Sequence, residues 1–195
     1  PSKPRRSASI IGTGSYLPER ILTNADLEVM VETSHQWIVE RTGILERRIA
    51  GENEFTSHMA AEAAKAAIEN AGITVEEIDL ILVGTITPDT VFPSTACHVQ
   101  RLIGAKNATC FDVNAACSGF LYGVEIANQF IANHTYDTVL VIGADKLSSI
   151  VNWKDRNTCV LFGDGAGAAI LRSRPGSRGI ITTHMGSDGN YADIL

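Results

Sequence analysis

The sequence predicts an α/β domain with a largely parallel central sheet, and three observations carry that expectation. Short apolar runs alternate with segments of helical period along the 195 residues, the pattern of strand, helix, strand units. Asp79 to Thr85 (DLILVGT) is apolar almost throughout, as in a strand covered on both faces. Ala60, Ala64, Ala67 and Ala71 recur on one helical face, so that helix is built to lie close against its neighbour. Crossovers between such strands are right-handed almost without exception.

Residues 1–8 read as a flexible basic leader and 9–195 as one domain. The first strand, Ser9 to Gly14, is ended by glycines and by Pro18. Thr23 or Asn24 caps a helix to about Glu32, and Ser34 caps a second that Gly43 stops. Ile44 to Ile49 has an extended but charged pattern, which belongs at the rim. Thr56 or Ser57 opens the alanine-faced helix, and Gly72 ends it. After the Asp79 to Thr85 strand, Pro93 and Ser94 begin a helix to Gly104, and Thr109 to Asn114 is a third strand. Phe120, Val124, Ala127 and Ile131 mark a helix ending near His134, followed by a strand from Thr138 to Gly143. Cys159 to Phe162, Ala166 to Leu171 and Gly179 to His184 are expected as short closing strands between glycines.

Composition narrows the function. Hydrophobic residues make up 45% and charged ones 19%, enough for a sizeable core and unlike a disordered chain. The formal charge of -6 gives no global field for nucleic acid or anionic lipid, so an anionic ligand must be held locally. No apolar run approaches the roughly 20 residues of a membrane span, and no apolar segment follows the basic leader, so a cytoplasmic protein is expected. Cys97, Cys110, Cys117 and Cys159 form neither a CxxC pair nor a dense disulfide framework; reduced thiols and no metal site follow.

Chemistry concentrates at NAACSGF, Asn114 to Phe120, where a buried strand meets an amphipathic helix. The first amides of a helix are unpaired and carry the positive end of its dipole, a setting that favours thiolate at Cys117. Ala115, Ala116, Ser118 and Gly119 are small, leaving room for a substrate and for amides to face an oxyanion. The alternative is an ordinary buried cysteine, the reading preferred for Cys97, Cys110 and Cys159. Two glycine strings do not make nucleotide loops: GTGSYLP lacks the third glycine of GxGxxG, and FGDGAGAAIL lacks GK[ST], so tight backbone packing explains them better. His35, His58, His98, His134 and His184 have no motif around them and read as surface or structural residues.

IIGTGSYLPER, TNADLEVMVETSHQWIVERTGI, FPSTAC, DVNAACSGF, FGDGAGAAIL and SDGNYADIL, in that order, resemble the β-ketoacyl-acyl carrier protein synthase III family of the thiolase superfamily, from about Ser9 to Leu195. The resemblance implies the N-terminal half of a duplicated, thiolase-like αβαβα fold with a mixed, mostly parallel sheet. It makes Cys117 the active-site cysteine in the initiation of type II fatty acid synthesis. There an acetyl or similar short acyl group passes from coenzyme A to the cysteine and condenses, with loss of carbon dioxide, with malonyl-acyl carrier protein. Trp37 and Arg156 match the pair that sandwiches the adenine, and Thr33 and Arg41 match positions lining the nucleotide end of the same tunnel. Phe92 matches a residue that crosses a homodimer interface to the partner's acyl pocket. Asn157 and Ile86 stand where some members carry glycine and threonine.

No tightly bound cofactor is implied, the coenzyme A thioester being a substrate, and neither nucleic acid nor membrane is an expected partner. Family members carry a catalytic histidine and asparagine in a C-terminal half that is not in this chain, so the chain alone is expected to accept an acyl group but not to condense. Two other readings stay open: a thiolase-superfamily acyltransferase of secondary metabolism, and a non-catalytic half serving as a dimerisation partner.

Overall fold

The structure, a computed structural model, describes residues 6–173 and 179–194. Among the described residues, seven strands and five α-helices are arranged around one five-stranded sheet: β1 (Ala8–Tyr16), β2 (Arg20–Thr23), α1 (Asn24–Met30), α2 (His35–Thr42), β3 (Glu46–Ile49), α3 (Thr56–Ala71), β4 (Leu80–Gly84), α4 (Thr95–Ile103), β5 (Thr109–Val113), α5 (Gly119–Ala132), β6 (Thr138–Lys146) and β7 (Asp164–Ser173). The strand order is β1-β7-β6-β4-β5, and β2 pairs with β3 as a separate antiparallel ribbon. Residues 1–5 of the expected leader lie outside the described residues; Arg6 forms an ion pair with Asp137, and β1 opens at Ala8.

The sheet is mixed, with β4 parallel to both β5 and β6, and β7 antiparallel to both β6 and β1. The parallel expectation therefore holds for the β5-β4-β6 half, where α4 and α5 supply the crossovers. β7 departs from it because the chain returns from β6 through turns, with no crossover helix between them.

The unbroken apolar run of β4 is explained by its place at the centre of two cores. Ile81 and Val83 face α3 and α4 with Met59, Ala60, Ala64, Val99 and Ile142, whereas Leu80 and Leu82 face α5 with Val124, Ala127, Ile131 and Val141. Each of those four β4 side chains is fully buried. The small-residue face of α3 lies on β1, where a Cβ at Gly12 or Gly14 would fall within 2.6 Å of the helix backbone. A third, smaller core joins Leu22, Leu27, Ile38, Ile49, Cys159 and Val160 beneath α1 and α2.

Helix ends follow the expected chemistry. Thr23 and Asp26 form a reciprocal capping box at α1, and Ser34 Oγ accepts from the Trp37 amide at α2. Gly43, Gly72 and Gly104 end α2, α3 and α4 in the left-handed conformation. At α4 the Asp112 carboxylate adds to Ser94, accepting from the amides of Thr95 and Ala96 at 2.7 and 2.8 Å.

Three expectations are corrected. Cys159 to Phe162 is not a strand but continues a series of turns, in which Cys159 and Val160 are buried against Ile49 of β3 while Leu161 is 44% exposed. Gly179 to His184 is not a strand; the Ile180 amide donates to Ala8 O at 2.8 Å, but Ile181 is 97% exposed and no ladder forms. The Ile44 to Ile49 segment is not at the rim throughout, because Arg47 is 4% exposed and bonded inside the molecule. No helix among the described residues is long and apolar enough to cross a membrane.

Candidate active site

Cys117 stands at the head of α5, in a 3-10 turn from Ala116 to Ser118 that follows β5 directly. The chain turns there through Ala116, whose φ of 45° is left-handed although it is not glycine. Such a residue costs on the order of 1 kcal/mol and persists only where its surroundings fix it. Cys117 is exposed, which removes the buried-cysteine alternative; Cys159 is buried, and Cys97 and Cys110 are partly so. Burial, reinforced by the neighbouring Cys97, pushes the Cys110 thiol up to about 12, and burial likewise raises that of Cys159. The exposed thiol is the one at the strand–helix junction.

Glycines fix where that junction lies. A Cβ on Gly84, the last residue of β4, would fall 2.6 Å from the Gly119 carbonyl carbon and 2.8 Å from the Phe120 nitrogen. A Cβ on Gly143 of β6 would meet Phe120 Cβ at 3.1 Å, and one on Gly123 would meet Val141 Cγ1 at 2.8 Å. The start of α5 is thus pressed onto the carboxyl ends of the two central parallel strands, the end where open α/β sheets bind their ligands. Sequence reasoning did not single out Gly84, although a glycine inside a strand pattern signals a close backbone approach.

Asp145, near the end of β6, holds the segment that leaves β4. Its Oδ1 accepts from Thr85 Oγ1 at 2.9 Å, the Ile86 amide at 2.8 Å and Thr87 Oγ1 at 3.0 Å. Beyond this anchor the chain presents Val91 and Phe92, which are 99% and 89% exposed. Phe92 is therefore on an outward apolar loop.

The residues matched to a nucleotide tunnel form a second cluster. Trp37 lies on α2, with the Arg41 guanidinium one turn on at 4.4 Å from the ring centroid and that of Arg156 at 4.5 Å. Arg156 comes from the turns after β6, so the tertiary fold brings it to α2. Thr33 Oγ1, in the link between α1 and α2, and Arg156 Nε are both buried without a hydrogen-bond partner. Orphaned polar atoms of this kind call for a ligand or water. An aromatic face, planar cations and unfilled polar positions suit a purine with phosphates.

The histidines read as structural act so where their contacts are visible. His58 Nδ1 accepts from the Phe55 amide at the start of α3, the His35 ring meets Asn24, and that of His98 meets Thr90 Oγ1. The glycine strings are packing features, as Gly12 and Gly14 show on β1; at Gly163 a Cβ would lie 3.1 Å from Arg47 Cβ.

Residues 111–189, which include the Cys117 turn, match the family profile of 3-oxoacyl-[acyl-carrier-protein] synthase III. A β-ketoacyl-[acyl-carrier-protein] synthase III of Caldanaerobacter subterraneus is 58% identical over 97% of the chain and 57% of its own length. The chain thus spans little more than half the length of such curated relatives. The crystal structure of 3-oxoacyl-[acyl-carrier-protein] synthase III from Aquifex aeolicus superposes with a TM-score of 0.84 at 55% identity, over 87% of this chain and 55% of that one. The enzyme of that name from Pseudomonas aeruginosa superposes with a TM-score of 0.92 at 38% identity, over 97% and 60%. By sequence and by the thiolase-like fold it shares with them, the chain is similar to the β-ketoacyl-[acyl-carrier-protein] synthase III enzymes over little more than half their length.

Proposed function

We propose that Cys117 accepts a short acyl group from a coenzyme A thioester, as the first half of a decarboxylative condensation with malonyl-acyl carrier protein. The observation that carries this is the exposed thiol at the head of α5, held on a left-handed turn among small residues. The Cys117 sulfur attacks the thioester carbonyl carbon. The resulting oxyanion is met by helix-start amides, Cys117's own among them, and collapse releases coenzyme A as the thiol. In the second half, malonyl loses carbon dioxide and its carbanion attacks the acyl-cysteine. A 3-oxoacyl carrier protein forms, and the Cys117 sulfur is freed.

Trp37, Arg41, Arg156 and Thr33 hold the nucleotide end of the donor, which supports coenzyme A over a simpler thioester. No tightly bound cofactor takes part. Condensation needs the family's histidine and asparagine, the C-terminal contribution that the resemblance assigns to the whole protein. The assembly is a cytoplasmic homodimer in which Phe92, now 89% exposed, is covered by the second copy and bounds its acyl pocket.

Incubation with acetyl-coenzyme A followed by peptide mass spectrometry tests the reading. An acetyl group on the Cys117 peptide, absent in Cys117→Ala, is expected. Wild-type protein that stays unmodified, or acetylation that survives the substitution, would reject it.

A further inference from the structure

We propose that Arg47 is a positioning residue for the nucleotide end of the acyl donor, acting through Arg156 and Trp37; the proposal rests on the coenzyme A reading above. Arg47 lies on β3 and is 4% exposed, and no ion pair among the described residues includes it. Its partners are neutral oxygens. Nε and Nη2 both donate to Val160 O, at 3.1 and 2.6 Å, and Nη1 donates to Asn24 Oδ1 at 2.6 Å. Burying a cation without a counter-charge is costly, and an apolar side chain would fill the same core at lower cost. What an apolar residue could not do is join these particular segments.

Val160 lies in the run of turns that carries Arg156. Cys159 N and Thr158 N donate to Asp155 O, Leu161 N donates to Thr158 O, and the Asp155 carboxylate ties Thr158 Oγ1 at 2.7 Å. Fixing Val160 O therefore fixes the turn that bears Arg156. On the other side, Asn24 is 1% exposed; its Nδ2 donates to Ile44 O at 2.9 Å and lies 3.3 Å from His35 Nδ1. His35 opens α2 and Ile44 follows its end, so Asn24 grips both ends of the helix that carries Trp37 and Arg41. One guanidinium thus links the Trp37 helix, through Asn24, to the Arg156 turn, its own bond to Val160 O spanning 113 residues. It sets the spacing of the Arg156 guanidinium from the Trp37 ring, on which it now stacks at 4.5 Å.

The test compares donors with and without a nucleotide. Acylation of Cys117 is timed with acetyl-coenzyme A and with S-acetyl-N-acetylcysteamine, for wild type, Arg47→Met, Arg156→Ala and the double variant. Arg47→Met is expected to raise the half-saturating acetyl-coenzyme A concentration about tenfold, with the saturated rate within about twofold and the truncated donor unaffected. Because Arg47 acts through the pairing of Trp37 with Arg156, which Arg156→Ala already removes, the double variant should be no worse than Arg156→Ala. Should Arg47→Met fail to fold by circular dichroism, Arg47→Lys, which keeps the cation but not the two-pronged grip on Val160 O, is measured in its place.

Equal loss with both donors, or additive losses in the double variant, would overturn the positioning role. So would unchanged half-saturation in the folded variant. Wild-type protein that does not favour acetyl-coenzyme A over the truncated donor would instead overturn the nucleotide reading beneath it.

Discussion

Gly84→Ala tests how closely the thiol-bearing helix is seated on the sheet. The new methyl carbon would fall 2.6 Å from the Gly119 carbonyl carbon, 2.8 Å from the Phe120 nitrogen and 3.0 Å from Gly119 Cα. All three are backbone atoms, so no side chain can rotate away. Ordinary contact begins near 3.4 Å, which requires the head of α5 and the end of β4 to part by about 0.8 Å. Overpacking in a closed core costs about 1–3 kcal/mol, and with backbone on both sides the upper end applies. At a guanidinium dependence of roughly 4 kcal/mol per molar, about 3 kcal/mol lowers the unfolding midpoint by about 0.8 M.

Cys117 precedes Gly119 by two residues and moves with it. A displacement near 1 Å costs on the order of 100-fold in a positioned reaction, so acetylation of Cys117 should slow about 10- to 100-fold. Gly167→Ala is the control: it too replaces a strand glycine, but its Cβ meets nothing within 4 Å. Its midpoint should shift by less than about 0.5 kcal/mol equivalent. If Gly84→Ala is as stable and as readily acetylated as Gly167→Ala, the seating argument is wrong.

Two further outcomes follow from single sites. Ala116→Gly removes a side chain from a left-handed position, so stability should be unchanged or rise by up to about 1 kcal/mol, whereas Ala116→Val should lose about 1 kcal/mol or more; a destabilised glycine variant in a denaturant titration would refute the left-handed turn. The hydrogen bond from Tyr16 OH to Glu54 at 2.7 Å raises the phenol to about 12 from its ordinary 10. The folded state therefore holds this proton more tightly than the unfolded chain, and the stability it confers is complete below pH 10 and lost as pH rises from 10 towards 12. Absorbance at phenolate wavelengths should show one tyrosine titrating late, and Tyr16→Phe should flatten stability across that window; an unaltered slope would contradict the bond.

Much of the fold was legible because its signals are local. Thr23, Ser34, Gly43, Gly72 and Gly104 mark helix ends by chemistry that acts within a turn, and the β4 run reports burial on both faces whatever its neighbours are. Strand direction was not legible, since the β7 residues have the same apolar pattern whichever way they run. The Cys159 to Phe162 run misled because burial in a turn and burial in a strand select the same residues. Cys117 could be picked out from small neighbours at a strand–helix junction. Trp37 and Arg156 could not be joined by any local rule, only by the family likeness. Arg47 was read as a rim charge because its partner Val160 O is a backbone atom far along the chain, invisible to side-chain patterning.

The seam between α3 and β1 has a consequence for how such a chain drifts. A Cβ on Gly14 would lie 2.3 Å from Ala63 O and 2.4 Å from Ala67 N, and one on Gly12 would lie 2.6 Å from the Ala71 methyl. Neither surface can gain an atom unless the backbones part, and neither has an atom to give up in exchange beyond the alanine methyls. The compensating pairs by which larger cores wander, one side chain growing as its neighbour shrinks, have no starting step here. Single substitutions are closed off from both sides at once, so this seam should change only where the helix itself is re-seated.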